Sequence, residues 1–124
     1  MTNEITTSKA ELQLALQSAG LNIVDYVPER LVPPVIVMTA DSTYITPETV
    51  GNTYLLGLKL TLIAGNAVNE QATEKLDELI ANTLNALADL HYVAFNNVIA
   101  PYRLAANNAE YYATDLNLNL SITI

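Results

Sequence analysis

The chain contains no cysteine, no tryptophan and one histidine, and it carries five basic residues against thirteen acidic ones. Without cysteine there are no disulfides, thiolate metal sites or cysteine nucleophiles, and the redox compartment stays open. The one histidine, His91, follows directly on a helical pattern and reads as a charge partner for that helix end rather than a base. No HxH or HExxH spacing and no acidic ligand cluster accompanies it, and GxSxG, Walker and GxGxxG motifs are missing. The expectation is a protein that is not an enzyme and holds no cofactor and no metal. Positive charge is also short. The net charge is −8, and Lys9, Arg30, Lys59, Lys75 and Arg103 are scattered, whereas proteins that grip phosphates need a basic footprint. No run approaches the roughly 18 apolar residues of a membrane span, and MTNEITTSKAELQ has no signal-like apolar core. A soluble, cytoplasmic protein is expected, in which the Asn119-Leu120-Ser121 sequon is chance.

What is present is apolar and patterned. Of 124 residues, 51% are hydrophobic and 15% charged, which suits one globular domain over residues 1–124. Its organising stretch is Asn52 to Gly65, NTYLLGLKLTLIAG. Tyr54, Leu56, Leu58, Leu60, Leu62 and Ala64 recur two apart and share one face of an extended chain. Leu55, Gly57, Lys59, Thr61 and Ile63 take the other, partly polar face. A long central strand follows from this alternation.

Before it, Ser8-Lys9-Ala10-Glu11 fits a capping box and predicts a helix from Lys9 to Ala19, stopped by Gly20. Its stripe is Leu12, Ala15, Leu16 and Ala19. Residues 22–34 hold three prolines and predict no regular element, while Val35 to Met38 reads as a short buried strand. Asp41 to Gly51 reads as a partner-binding loop, because a solvated tip has no need for Tyr44 and Ile45.

After the central strand, a helix is predicted from Asn69 to Leu90, capped by Asn66 or Asn69. Ala72, Leu76, Leu79, Ile80, Thr83, Leu84 and Leu87 form its core stripe. Glu70, Glu74, Asp77 and Glu78 load its first half with negative charge, and a solvated face explains them better than a cation site. A strand over Tyr92 to Leu104 is interrupted at Asn96-Asn97 and at Pro101. The last strand, Glu110 to Ile124, alternates apolar residues with Asp115, Asn117, Asn119, Ser121 and Thr123.

The expected architecture is α+β: a single, mainly antiparallel four-stranded sheet with two helices packed on one face, in the order α-β-β-α-β-β. Strands of 13 to 15 residues reach about 45 Å, beyond a domain diameter near 35 Å. Their non-core face carries short uncharged groups, an unprotected surface that tends to meet another chain. Tyr44, Ile45, Asn117, Asn119, Ser121 and Thr123 are therefore the candidate subunit or tube interface, and seven tyrosines suit such a surface.

These features, in this order, carry a resemblance. LQLALQSAGLNIVDYVPERLVPPVIVM supplies helix, proline-rich turn and first strand. A tyrosine-bearing loop then ends in Gly51, followed by YLLGLKLTLIAG, the helix ATEKLDELIANTLNAL, and strands around VIAPYRL and EYYATDLNLNLSITI. The set resembles the tail terminator proteins of long-tailed bacteriophages with flexible, non-contractile tails, and PERLVPPVIV is the most specific part of the likeness. The resemblance implies a virion neck protein, in the host cytoplasm during assembly, that forms a homo-oligomeric, hexameric ring. Such a ring caps the tail tube, stops its polymerisation and offers a docking face to the head-tail connector or completion protein. DNA would pass through the lumen without specific binding. Glu70, Glu74, Asp77 and Glu78, or else the loop acids Asp41 and Glu48, are the candidates to line that channel. The alternatives are a head-side neck or tail-completion protein and, from another class, a small soluble ligand-binding α+β domain.

Overall fold

A computed structural model of the chain describes residues 3–25, 33–48, 51–66, 70–106 and 109–123. The strand predicted around the central stretch is β3, Thr53–Asn66. Its even face is core: Leu56, Leu58, Leu60 and Leu62 are all fully buried. β3 pairs antiparallel with β6 (Ala109–Thr123) on one side and with β2 (Val35–Pro47) on the other. In β6, Leu116, Leu118 and Leu120 stand opposite Leu60, Leu58 and Leu56, so two rows of leucine form one continuous apolar floor.

Two helices cover that floor. Leu12 and Leu16 of α1 (Glu4–Ser18) and Leu76, Leu79 and Leu87 of α2 (Glu70–Ala88) join its leucines in one cluster. The predicted stripe of α2 is the face it buries, with Thr83 satisfied by donating its hydroxyl to the Leu79 carbonyl at 2.7 Å. Asn66 ends β3 instead of capping α2, and Asn69 lies outside the described residues. Helix α1 begins earlier than the Ser8 capping box implies. Asn3 is the cap, its side-chain oxygen accepting from the Thr6 amide at 2.8 Å. Asparagine caps as well as serine does, and the earlier start brings Ile5 onto the core.

The four-stranded sheet of the sequence reading is not what forms. Among the described residues the sheet has six strands and is mixed, in the order β1-β2-β3-β6-β4, with β5 also paired to β6. Two local causes account for the two additional strands. β1 (Ile23–Val24) is a two-residue strand parallel to β2, too short to carry a period and set in a segment judged irregular for its prolines. Tyr26, Glu29 and Arg30 of that segment lie outside the described residues. The strand expected over Tyr92 to Leu104 is two, β4 (Val93–Val98) and β5 (Tyr102–Ala106). Its register slips at Asn96, as the Asn96-Asn97 interruption implied, and it breaks before Pro101, which has no amide hydrogen to donate.

β2 differs in extent rather than in number. The segment read as a partner-binding loop from Asp41 is strand as far as Pro47. Pairing with β3 stops after Ala40↔Leu58 and resumes at Ile45↔Leu56, leaving Asp41 to Thr43 and Tyr44 as a bulge opposite Gly57. β-branched and aromatic residues favour an extended chain, and Thr43, Tyr44, Ile45 and Thr46 supply four in a row beside the unfilled edge of β3. The bulge needs Gly57: a side chain there would run into the Thr43 backbone carbonyl.

Candidate functional site

The odd-numbered face of β3 divides along its length. Where β3 ends, Ile63 packs with Val35, Val37, Tyr111 and Ala113 in a second, smaller cluster. Where it begins, the face turns polar. Lys59, Gly57, Leu55 and Thr53 stand opposite Asn117, Asn119, Ser121 and Thr123 of β6. Alternation forces this: the leucines at 116, 118 and 120 turn toward the helices, so their neighbours turn away. The four predicted β6 positions thus share one face, with Asn117 and Asn119 half-buried and Ser121 and Thr123 exposed.

Four side-chain bonds organise this surface. At the boundary with the apolar end, Asp115 accepts from the Thr61 hydroxyl and from the Tyr102 phenol, both at 2.9 Å and both through Oδ1. Asn117 donates to Asn97 on β4 at 2.8 Å. Ser121 donates to Glu48 at 2.9 Å, and Glu48 is held there by the turn after β2, its amide bonding the Thr53 carbonyl at 3.0 Å. Glu48 and Ser121 border a groove of about 230 Å³ with His91 and Asn119. His91 stacks edge-on to Tyr92 at 5.6 Å. The Ser121 hydroxyl is directed to the Glu48 carboxylate.

Burial, the Asp115 hydrogen bond and its negative charge push the Tyr102 phenol up to about 12. Burial, and then the charge of Glu11, also raise Tyr92. The folded state therefore favours neutral Tyr102. Its contribution to stability is complete below the ordinary value near 10 and is lost as pH climbs from about 10 through about 12. Asp115→Asn is expected to bring the Tyr102 transition back toward 10, followed by phenolate absorbance. It should also destabilise the protein by about 1 to 3 kcal/mol, since two hydrogen bonds to a charged acceptor are weakened. An unchanged Tyr102 titration in Asp115→Asn would refute this account.

The other predicted residues separate. Tyr44 is half-buried within its own subunit, its phenol oxygen 3.2 Å from Lys9 Nζ and its ring 5.6 Å below that ammonium. Ile45 is 38% exposed. Asp41 lies over Gly57 and its carboxylate accepts the Ser42 amide, so Asp41 and Glu48 both sit on the polar side of the sheet. Glu74, Asp77 and Glu78 are exposed on α2, across the sheet from them, and Glu70 is the first residue of that helix.

Two features were missed by reading the sequence. Phe95 and Ile99 are 48% and 41% exposed at the β4 margin. On the helix side of β4, an apolar groove of about 240 Å³ runs between Leu84, Leu87, Leu90, Val93 and Phe95. The signal available was the apolar run broken by Asn96-Asn97, since a strand carrying bulges lies at a sheet margin.

Among the described residues, no group of three or more His, Asp or Glu side chains is placed to hold a metal, and no helix is long and apolar enough to cross a membrane. Comparison with known proteins finds no family model and no curated sequence that matches the chain.

Proposed function

We propose that this chain is a structural subunit of the tail terminator type, which assembles into a ring, closes the end of a phage tail tube and presents a second surface to the head connector. The observation that carries the proposal is the polar half of the sheet. One face of β3 and β6 is given wholly to the two helices. The other bears Asn117, Asn119, Ser121 and Thr123, with no helix packed on it among the described residues. Long rows of short uncharged groups are poorly protected against association, and they suit a static contact better than chemistry. Capping needs no reaction, only occupation of the growing end.

The acidic excess fits a channel for DNA. A negative wall repels the duplex and keeps it centred, over about one Debye length, near 8 Å at physiological salt. Because Asp41 and Glu48 lie across the sheet from Glu74, Asp77 and Glu78, a ring lined by one set turns the other outward. The expected result is a lumen with more carboxylates than ammonium and guanidinium groups. An electron-microscopy reconstruction with equal numbers would sink that reading.

The ligand-binding alternative has one observation in its favour, an open cavity of about 620 Å³ where Lys75, Glu78 and Asn82 of α2 face Ala64 and Pro34. Native mass spectrometry separates the readings. A discrete ring mass, and fewer or shorter tubes when the protein is added to polymerising tail tube protein, are expected. A ring that leaves the tube untouched and binds a head connector would favour the head-side neck role. A monomer at all concentrations would overturn both.

A further inference from the structure

Both margins of the sheet carry unpaired backbone among the described residues. Among the described residues β4 has β6 as its strand partner, and of its outer amides that of Val93 turns back to the Leu90 carbonyl at 3.3 Å. Among the described residues, β1 lies beside β2 at Ile36 and Val37, and from Met38 onward the partner of β2 is β3. Rows of free N–H and C=O groups select one kind of occupant, another extended strand. We propose that the occupant is a second copy of this chain, added head to tail so that β2 of one subunit pairs with β4 of the next. The proposal rests on the ring reading above and supplies its subunit contact.

Three relations support the match. The first is direction. β2, β3, β6 and β4 are each antiparallel to the neighbour in that series, so β2 and β4 run oppositely, and a copy added in the same orientation continues the alternation. Two different surfaces meeting this way make a heterologous contact, the kind that closes into rings.

The second is level. Following the pairing across the sheet, Ile45, Leu56, Leu120 and Val93 lie in one line, and Ala40, Leu58, Leu118 and Phe95 in the next. Met38, Leu60, Leu116 and Val98 form a third. The free stretch of β2 is therefore at the same height as β4, and no sliding is needed to bring them together.

The third is surface chemistry. Ile45 shares the helix-side face with Leu56, its partner in the sheet. Placed beside Val93 of the next copy, it meets the apolar groove between Leu84, Leu87 and Phe95, which is open on that same side. Charge agrees as well. Lys9 stands over Tyr44 beside Ile45, and Asp89 is exposed between the groove residues Ala88 and Leu90.

The absence of native cysteine allows a direct test with Ile45→Cys/Val93→Cys. Within one subunit these positions are three strand spacings apart, roughly 14 Å at about 4.8 Å per spacing. A disulfide needs Cα atoms within about 7 Å, so any bond must join two copies. After mild oxidation, a ladder on a non-reducing gel reaching the ring number is expected, with the native ring mass kept. Each single-cysteine variant should stay uncrosslinked. A variant that forms the ring but runs as monomer overturns the β2–β4 contact while leaving the ring standing. Crosslinked dimers from Ile45→Cys alone also overturn it, in favour of a two-fold contact. Failure of the unmodified protein to form any ring sinks the functional reading and this contact together. As a second variant, Ile45→Asp, at an exposed position, should keep its far-ultraviolet circular dichroism and lose the ring, and a ring that persists would count against the contact.

Discussion

Gly57→Ala is expected to destabilise the protein by about 3 kcal/mol, the upper end of what overpacking usually costs. The added methyl collides with the Thr43 carbonyl, which is backbone and cannot swing aside as a flexible side chain would. Relief requires lifting the bulge off β3. That would pull Tyr44 from Lys9 and from the core it packs against, and shift Ile45 at the sheet margin. With a urea m-value of about 2 kcal/mol/M, the midpoint should fall by roughly 1.5 M. Gly57→Val should be worse and give little folded protein. Gly65→Ala is the control, because a Cβ at that position meets nothing within 4 Å, and a change within about 0.5 kcal/mol is expected. Equal effects at Gly57 and Gly65 would mean that the bulge is not seated as described.

The second large effect is on assembly. Asn117→Lys/Asn119→Lys should leave the subunit folded, since both side chains lie on the face away from the leucine core. The cost to the monomer is the exposed Asn117–Asn97 bond, about 1 kcal/mol. A desolvated or like-charged ammonium in a protein contact costs several kcal/mol, and each 1.4 kcal/mol is tenfold in affinity. If, as proposed, this face meets the tail tube, capping should therefore weaken by at least about 100-fold, while a ring joined through β2 and β4 should persist. Native mass spectrometry would report the ring, and co-sedimentation with tail tubes the cap, while circular dichroism checks the fold. Unchanged behaviour in both assembly measurements would show that this face is only solvated.

Much of the structure was legible along the chain because its signal is local. Alternation in Tyr54 to Ala64 and in Leu116 to Ile122 marks two strands and the face each buries. Three- and four-residue spacing from Ala72 to Leu87 marks the helix that covers them. Those periods arise from the geometry of one strand or one helix, and they need no knowledge of the neighbours. The placement of Asn117, Asn119, Ser121 and Thr123 on the face opposite the core follows from the same alternation, so this part of the candidate surface could be read directly.

Pairing between distant segments is a different matter. That Asp41 to Pro47 is strand rather than loop depends on the free side of β3 beside it and on the space left by Gly57, sixteen positions after Asp41. The two residues of β1 become a strand only because β2 offers them a margin. The split between β4 and β5 depends on where β6 gives and withholds partners: Ile99 is tied to β6 through the Asp115 carbonyl and the Thr114 hydroxyl. Tyr44 and Ile45 diverge for the same reason, one drawn onto the core beside α1 and the other left at an open margin. The sequence by itself determined the amphipathic elements, the acidic surface and the polar row on the last strand. The tertiary structure alone decided strand number, sheet order and which margins stay open, because hydrogen-bond partners along a sheet come from residues far apart in the chain.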